Sequence, residues 1–143
     1  MSVEAWIDPD DVQPTGSCCS MIVSKQVTVV TGWELGLKAE PLQSVLIDRE
    51  ADPVFEEVFH EIPTTGFVHV VGTFDGSSLR LFVNGELAIE GASTVLLPDH
   101  DAPLRIGASD GNEPFAGVID EVAIYAGALS EERVLAHYVA GSM

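Results

Sequence analysis

The chain has 143 residues, 46% of them hydrophobic, which supports one sandwich-sized core and excludes a large multidomain architecture. Its 23 Asp plus Glu stand against 6 Lys plus Arg, a formal net charge of -17, so the surface repels polyanions and argues against nucleic acid or anionic membranes as partners. The apolar runs are short and interrupted by Gly, Pro, Asp and Ser, which excludes membrane insertion by a helix, and the N-terminus shows no basic stretch followed by an apolar one, so no secretory leader is expected in this chain.

In chain order, the hydropathy pattern predicts strands at Val3 to Ile7, Met21 to Ser24, Gln26 to Thr31, Trp33 to Lys38, Ser44 to Ile47 and Val54 to His60. A long loop at Asp8 to Ser20 carries the adjacent Cys18 and Cys19. These are expected to be ordinary thiols, because neighbouring cysteines bridge only through a strained ring and two ligands cannot complete a zinc site; an intermolecular bridge is the alternative. The next strands, Phe67 to Phe74, Leu79 to Val83 and Glu86 to Ile89, form an antiparallel meander. Asp75-Gly76 and Asn84-Gly85 supply the positive φ angles that its two-residue reversals require. Strands at Leu104 to Ile106 and Val118 to Tyr125 follow, with further loops at Gly91 to Ala102 and Ala108 to Pro114. The prolines lie between runs or at their ends, where no ladder donor is lost. Ser130 is placed to cap one short helix, with Glu131 and Glu132 complementing its dipole and Val134, Leu135 and Tyr138 forming an apolar stripe for docking on a sheet.

The acidic balance fits an extracellular domain kept soluble by its charge, and it also fits adaptation to high salt, where self-repulsion is screened within about 3 Å at molar ionic strength. Having only Lys25 and Lys38 as lysines agrees with the second reading. Calcium binding is a third use for many carboxylates.

The wording of the meander, Val68-His69-Val70, Phe74-Asp75-Gly76 and Leu81-Phe82-Val83-Asn84-Gly85, resembles the laminin G-like, concanavalin A-like jelly-roll family. Ser2-Val3-Glu4-Ala5-Trp6-Ile7, Ile22-Val23-Ser24-Lys25 and Gly32-Trp33-Glu34-Leu35-Gly36-Leu37 are similar to its early strands. Pro103-Leu104-Arg105-Ile106-Gly107, the run from Phe115 to Tyr125 and Ala128-Leu129-Ser130-Glu131-Glu132 are similar to its close. The resemblance implies an all-β jelly-roll β-sandwich of two antiparallel sheets with one short C-terminal helix, as a single domain over residues 1–143. Family members usually have one or more strands before the tryptophan-bearing strand, often paired with the strand equivalent to Val118 to Tyr125. Here the chain starts directly in the tryptophan-bearing strand, so either an unpaired N-terminal sheet edge with a homo-oligomer formed through it, or a compact variant sandwich, is expected.

For function, the resemblance implies a non-catalytic carbohydrate- or protein-binding module, extracellular, at a cell surface or on a virion. A structural assembly subunit, such as a virion surface or appendage protein, is the alternative. Related glucanases place a nucleophile and an acid at alternate positions of one strand. Glu50, Asp52 and Glu56 miss that pattern, because the spacing is one residue too long and Pro53 interrupts the pleat, so a solvated acidic loop is expected instead. No Gly-x-Ser-x-Gly turn, metal-binding histidine pair or P-loop is present, and His69 is expected to be structural.

For a metal, Asp110, Asn112 and Glu113 follow a strand end where relatives carry calcium ligands, and Asp120 matches an aspartate that some relatives use for structural calcium. The other reading of these residues is an Asp-Gly-Asn turn, with Asp120 accepting from neighbouring backbone amides. Trp33 shares a strand face with Leu35 and Leu37 and is expected in the core. Trp6 matches a family position in the sandwich interior.

Overall fold

The computed structural model describes residues 1–10, 19–27, 31–38, 43–51, 54–94, 101–109 and 113–143. Among the described residues, ten strands form two antiparallel five-stranded sheets. The first sheet contains β1 (Ser2–Pro9), β6 (Val68–Phe74), β7 (Ser78–Val83), β8 (Glu86–Ala92) and β10 (Gly117–Tyr125), in the order β10-β1-β6-β7-β8. The second contains β2 (Cys19–Val27), β3 (Thr31–Lys38), β4 (Gln43–Ala51), β5 (Val54–Glu61) and β9 (Leu104–Ile106), in the order β5-β4-β3-β2-β9. One helix, α1 (Glu131–Gly141), closes the chain.

Two-residue alternation builds the core. Val3, Ala5 and Ile7 of β1, Val68 and Val70 of β6, and Leu79 and Leu81 of β7 point inward from one sheet. Ile22, Val23, Trp33, Leu35, Leu37 and Val58 meet them from the other. A β-bulge in β2, between Met21 and Val23, turns both Ile22 and Val23 into this layer. Trp33 is buried as its face-sharing leucines require.

Several details depart from the sequence reading. The expected separate strands at Met21 to Ser24 and Gln26 to Thr31 are replaced by one strand through Val27, while Thr31 begins β3 and residues 28–30 lie outside the described part. Asn84 and Gly85, at φ 51 and 82, make the expected two-residue reversal. Asp75-Gly76 belongs to a wider loop between Phe74 and Ser78, in which Asp75 Oδ1 accepts from the Ser77 and Ser78 amides, each at 2.9 Å. Cys19 is disulfide-bonded, contrary to the expectation of a free thiol, and Cys18 is the chain's other cysteine. β1 pairs on both sides, with β10 and β6, and β10 is the edge strand on this side of the sheet.

Ser130 caps α1 as anticipated, its side chain accepting from the Arg133 amide. The docking stripe differs. Val134 is fully buried against Val71 and Phe82 on the outer face of the first sheet, whereas Leu135 points to solvent. The face that docks runs through Val134, His137, Tyr138 and Gly141, at i, i+3, i+4 and i+7 spacing.

Candidate functional site

Because Val3, Ala5 and Ile7 take the interior, pleat alternation sends Ser2, Glu4 and Trp6 to the opposite face. Trp6 therefore does not fill the sandwich core. Its indole stacks on Tyr138 of α1 at a centroid distance of 5.7 Å and lies 4.9 Å from the His69 ring. Gly141 closes over the same ring, and a Cβ there would sit 2.6 Å from Trp6 Cζ2, so this helix end needs glycine to approach. Ser2 Oγ accepts from the Leu129 amide at 2.8 Å and donates to the Gly127 carbonyl at 3.0 Å, fixing the link that leads into α1.

Glu4 is the electrostatic centre of this face. Its Oε1 is 2.7 Å from His69 Nε2, its Oε2 is 2.9 Å from the Tyr125 hydroxyl, and His137 Nδ1 spans both oxygens at 3.1 and 3.0 Å. An ionised carboxylate only accepts, so both imidazoles and the phenol donate to it. His69 is completely buried and its Nδ1 has no partner; the tautomer protonated on Nε2 leaves no buried N–H unsatisfied. Burial pushes the Glu4 carboxyl up, but hydrogen bonds from His69, His137 and Tyr125 outweigh it and bring the pKa down to about 2. The Tyr125 phenol is raised, first by burial and then by its bond to Glu4. A carboxylate so fully bonded neither takes nor gives a proton near neutral pH.

Beside this network lies an open groove of about 870 Å³. Glu4 and Trp6 form its floor, and Asp120, Glu121, Ala123 and Tyr125 of β10 form one wall. The other wall is the end of α1, at His137, Tyr138, Ala140 and Gly141, with its cap residue Ser142; Phe67 and Asn84 also contribute to the lining. Phe67 is half exposed, at 49%. β10 is bulged where it borders the groove: the register against β1 shifts between Glu4 and Trp6, and Glu121 has a left-handed φ of 51. A non-glycine residue in that conformation carries about 1 kcal/mol of strain or more. The bulge places both Asp120 and Glu121 in the groove lining.

Asp110 and Asn112 lie outside the described residues. The Glu113 carbonyl accepts the Met21 amide at 3.0 Å, away from the groove. Asp120 Oδ1 accepts the Glu121 amide at 2.8 Å, the backbone bond foreseen as its non-metal role. Among the described residues no group of three or more His, Cys, Asp or Glu is arranged to hold a metal. Of the glucanase-like carboxylates, Glu50 lies near the end of β4 and Asp52 is outside the described residues. Glu56, on β5, accepts from the Thr94 amide at 2.8 Å.

The sequence reading missed Glu4, His137 and Phe67. A signal for the first was available. Glu4 and His69 each interrupt an apolar alternation at an outward position, while His137 and Tyr138 sit on the helix face that must dock.

Residues 1–135 match the family described as the concanavalin A-like lectin/glucanases superfamily. No curated protein matches the chain. Among solved structures, the chain is similar to domain 4 of AbnA, an extracellular GH43 arabinanase from Geobacillus stearothermophilus in complex with arabinotriose, at 19% identity and a TM-score of 0.72, covering 94% of this chain and 64% of that one. The binding domain of botulinum neurotoxin DC is similar at 13% identity in two complexes. With SialylT the TM-score is 0.71, and with rat synaptotagmin II it is 0.70; each covers 97% of this chain and 35% of that one. The chain thus spans under two-thirds of the length of these structures, and at such identities the likeness shows the fold.

Proposed function

Since the chain belongs to the concanavalin A-like lectin/glucanase superfamily, we propose that it is a non-catalytic module that binds a carbohydrate or a protein surface, working outside the cell. The observation that carries this reading is the groove between β1, β10 and α1, where aromatic rings and accessible carboxylates converge on a volume large enough for a small ligand. The neighbours' ligands point the same way, since their complexes contain arabinotriose, SialylT and synaptotagmin II. The occupation of both Glu4 oxygens by three donors supports the non-catalytic reading. No helix among the described residues is long and apolar enough to cross a membrane.

A glycan microarray read with labelled protein tests the proposal. Discrete positive glycans, lost in Phe67→Ala at an unchanged melting temperature, support it; an array and a surface-protein panel that are both negative contradict it. Calcium held by Asp110, Asn112 and Glu113 would add metal dependence, read as loss of array binding on chelation.

A second reading, a structural subunit that assembles with neighbours, is favoured by the exposed apolar residues on the edge strands of both sheets. Leu104 and Ile106 of β9, and Val118 and Ile124 of β10, are each 43 to 56% exposed. Light scattering decides it: a stable oligomer at micromolar concentration supports assembly through this side, and a monomer rejects it.

A further inference from the structure

The electrostatics of the groove are one-sided. Its lining contains three carboxylates, Glu4, Asp120 and Glu121, and no Lys or Arg. The one imidazole, His137, is already spent on Glu4. The C-terminal end of α1, at Gly141 and Ser142, adds the negative pole of the helix dipole. A ligand bearing a sialic or uronic carboxylate would enter beside like charges with no guanidinium to pair with it.

What remains attractive is chemistry for a neutral polyol. Asp120 and Glu121 are exposed, acceptor-only groups that sugar hydroxyls can donate to. The half-exposed Phe67 ring and the Tyr125 face offer apolar surface for the C–H side of a pyranose or furanose. A basic peptide also matches the charge, but it fits the geometry less well. Glu4 has no free oxygen for a cation, and the other two carboxylates are exposed, where a point charge gains little from pairing. A groove of about 870 Å³ suits a rigid ring better than a slim lysine chain.

Building on the assignment of this groove as the ligand site, we infer that it selects uncharged oligosaccharides and turns acidic sugars away. The bulge at Glu121 serves this selection by keeping two carboxylates at the groove wall at a conformational cost.

The test is titration calorimetry on the whole chain with neutral pentose and hexose oligosaccharides, with the same backbones ending in sialic or uronic acid, and with oligolysine at low and high salt. Neutral sugars are expected to bind at least about tenfold more tightly than their acidic counterparts. That gap should narrow in Glu121→Lys, whose fold is checked by an unchanged circular dichroism spectrum, and it should stay in Glu86→Lys, a charge reversal away from the groove. Acidic sugars binding equally or better would overturn the inference and leave the binding-module reading standing. Oligolysine binding that collapses with salt, without sugar binding, would overturn it in favour of a basic peptide. Absence of all binding would overturn both.

Discussion

His69 Nε2 lies 2.7 Å from Glu4 Oε1, joining neighbouring strands β6 and β1 through a buried hydrogen bond on the face that α1 covers. With His137 of the helix on the same carboxylate, one side chain ties two strands and the helix into a single unit. Glu4→Gln replaces one acceptor oxygen by an amide that donates toward groups that already donate. We expect a loss of about 2–4 kcal/mol and a lower melting temperature. An unchanged melting temperature would mean that the network does not hold the helix.

Acid should have a related effect. The Glu4 carboxyl sits at about 2 in the folded chain against an ordinary value of 4.5. Its stabilising contribution is therefore complete above the ordinary carboxylate range and is lost as the pH falls toward 2. Urea unfolding followed from pH 5 to pH 2 should show this loss in the parent, with a flatter profile in Glu4→Gln.

Glu121→Gly removes the strain of a left-handed glutamate. The variant should hold its stability or gain up to about 1 kcal/mol while losing affinity for the groove ligand. Destabilisation would show that the side chain is structural.

Gly141 has no room for a methyl group against Trp6. Gly141→Ala should cost about 1–3 kcal/mol and change the near-ultraviolet signal of the tryptophans as the helix end lifts or the indole shifts. An unperturbed spectrum would contradict this packing.

With a net charge of -17, the chain should melt at higher temperature as salt rises from millimolar to molar. Differential scanning calorimetry at three salt concentrations checks it, and a flat or falling midpoint would remove self-repulsion as a factor.

Much of the fold was legible because alternation and turn chemistry are local signals. Val3, Ala5 and Ile7 declare an inward face, and Asn84-Gly85 declares a reversal. Trp6 shows where family likeness and pleat geometry conflict: the alternation alone puts it opposite the core, under a helix whose docking the sequence did not orient. The width of the Asp75 loop depends on which amides one carboxylate captures, a three-dimensional choice. The groove was less legible still. Phe67, Glu4, Asp120 and His137 are far apart in sequence and meet only because β10 pairs with β1 and α1 folds back over both.

The most direct test of the groove as the ligand site is a heteronuclear NMR titration of the isotope-labelled chain with a mixture of neutral pentose and hexose oligosaccharides. The account predicts shifts concentrated at the Trp6 indole N–H, Phe67, Asp120 to Tyr125 and His137 to Ser142. Shifts confined to the outer face of β2 and β3, or no shifts at all, would contradict it.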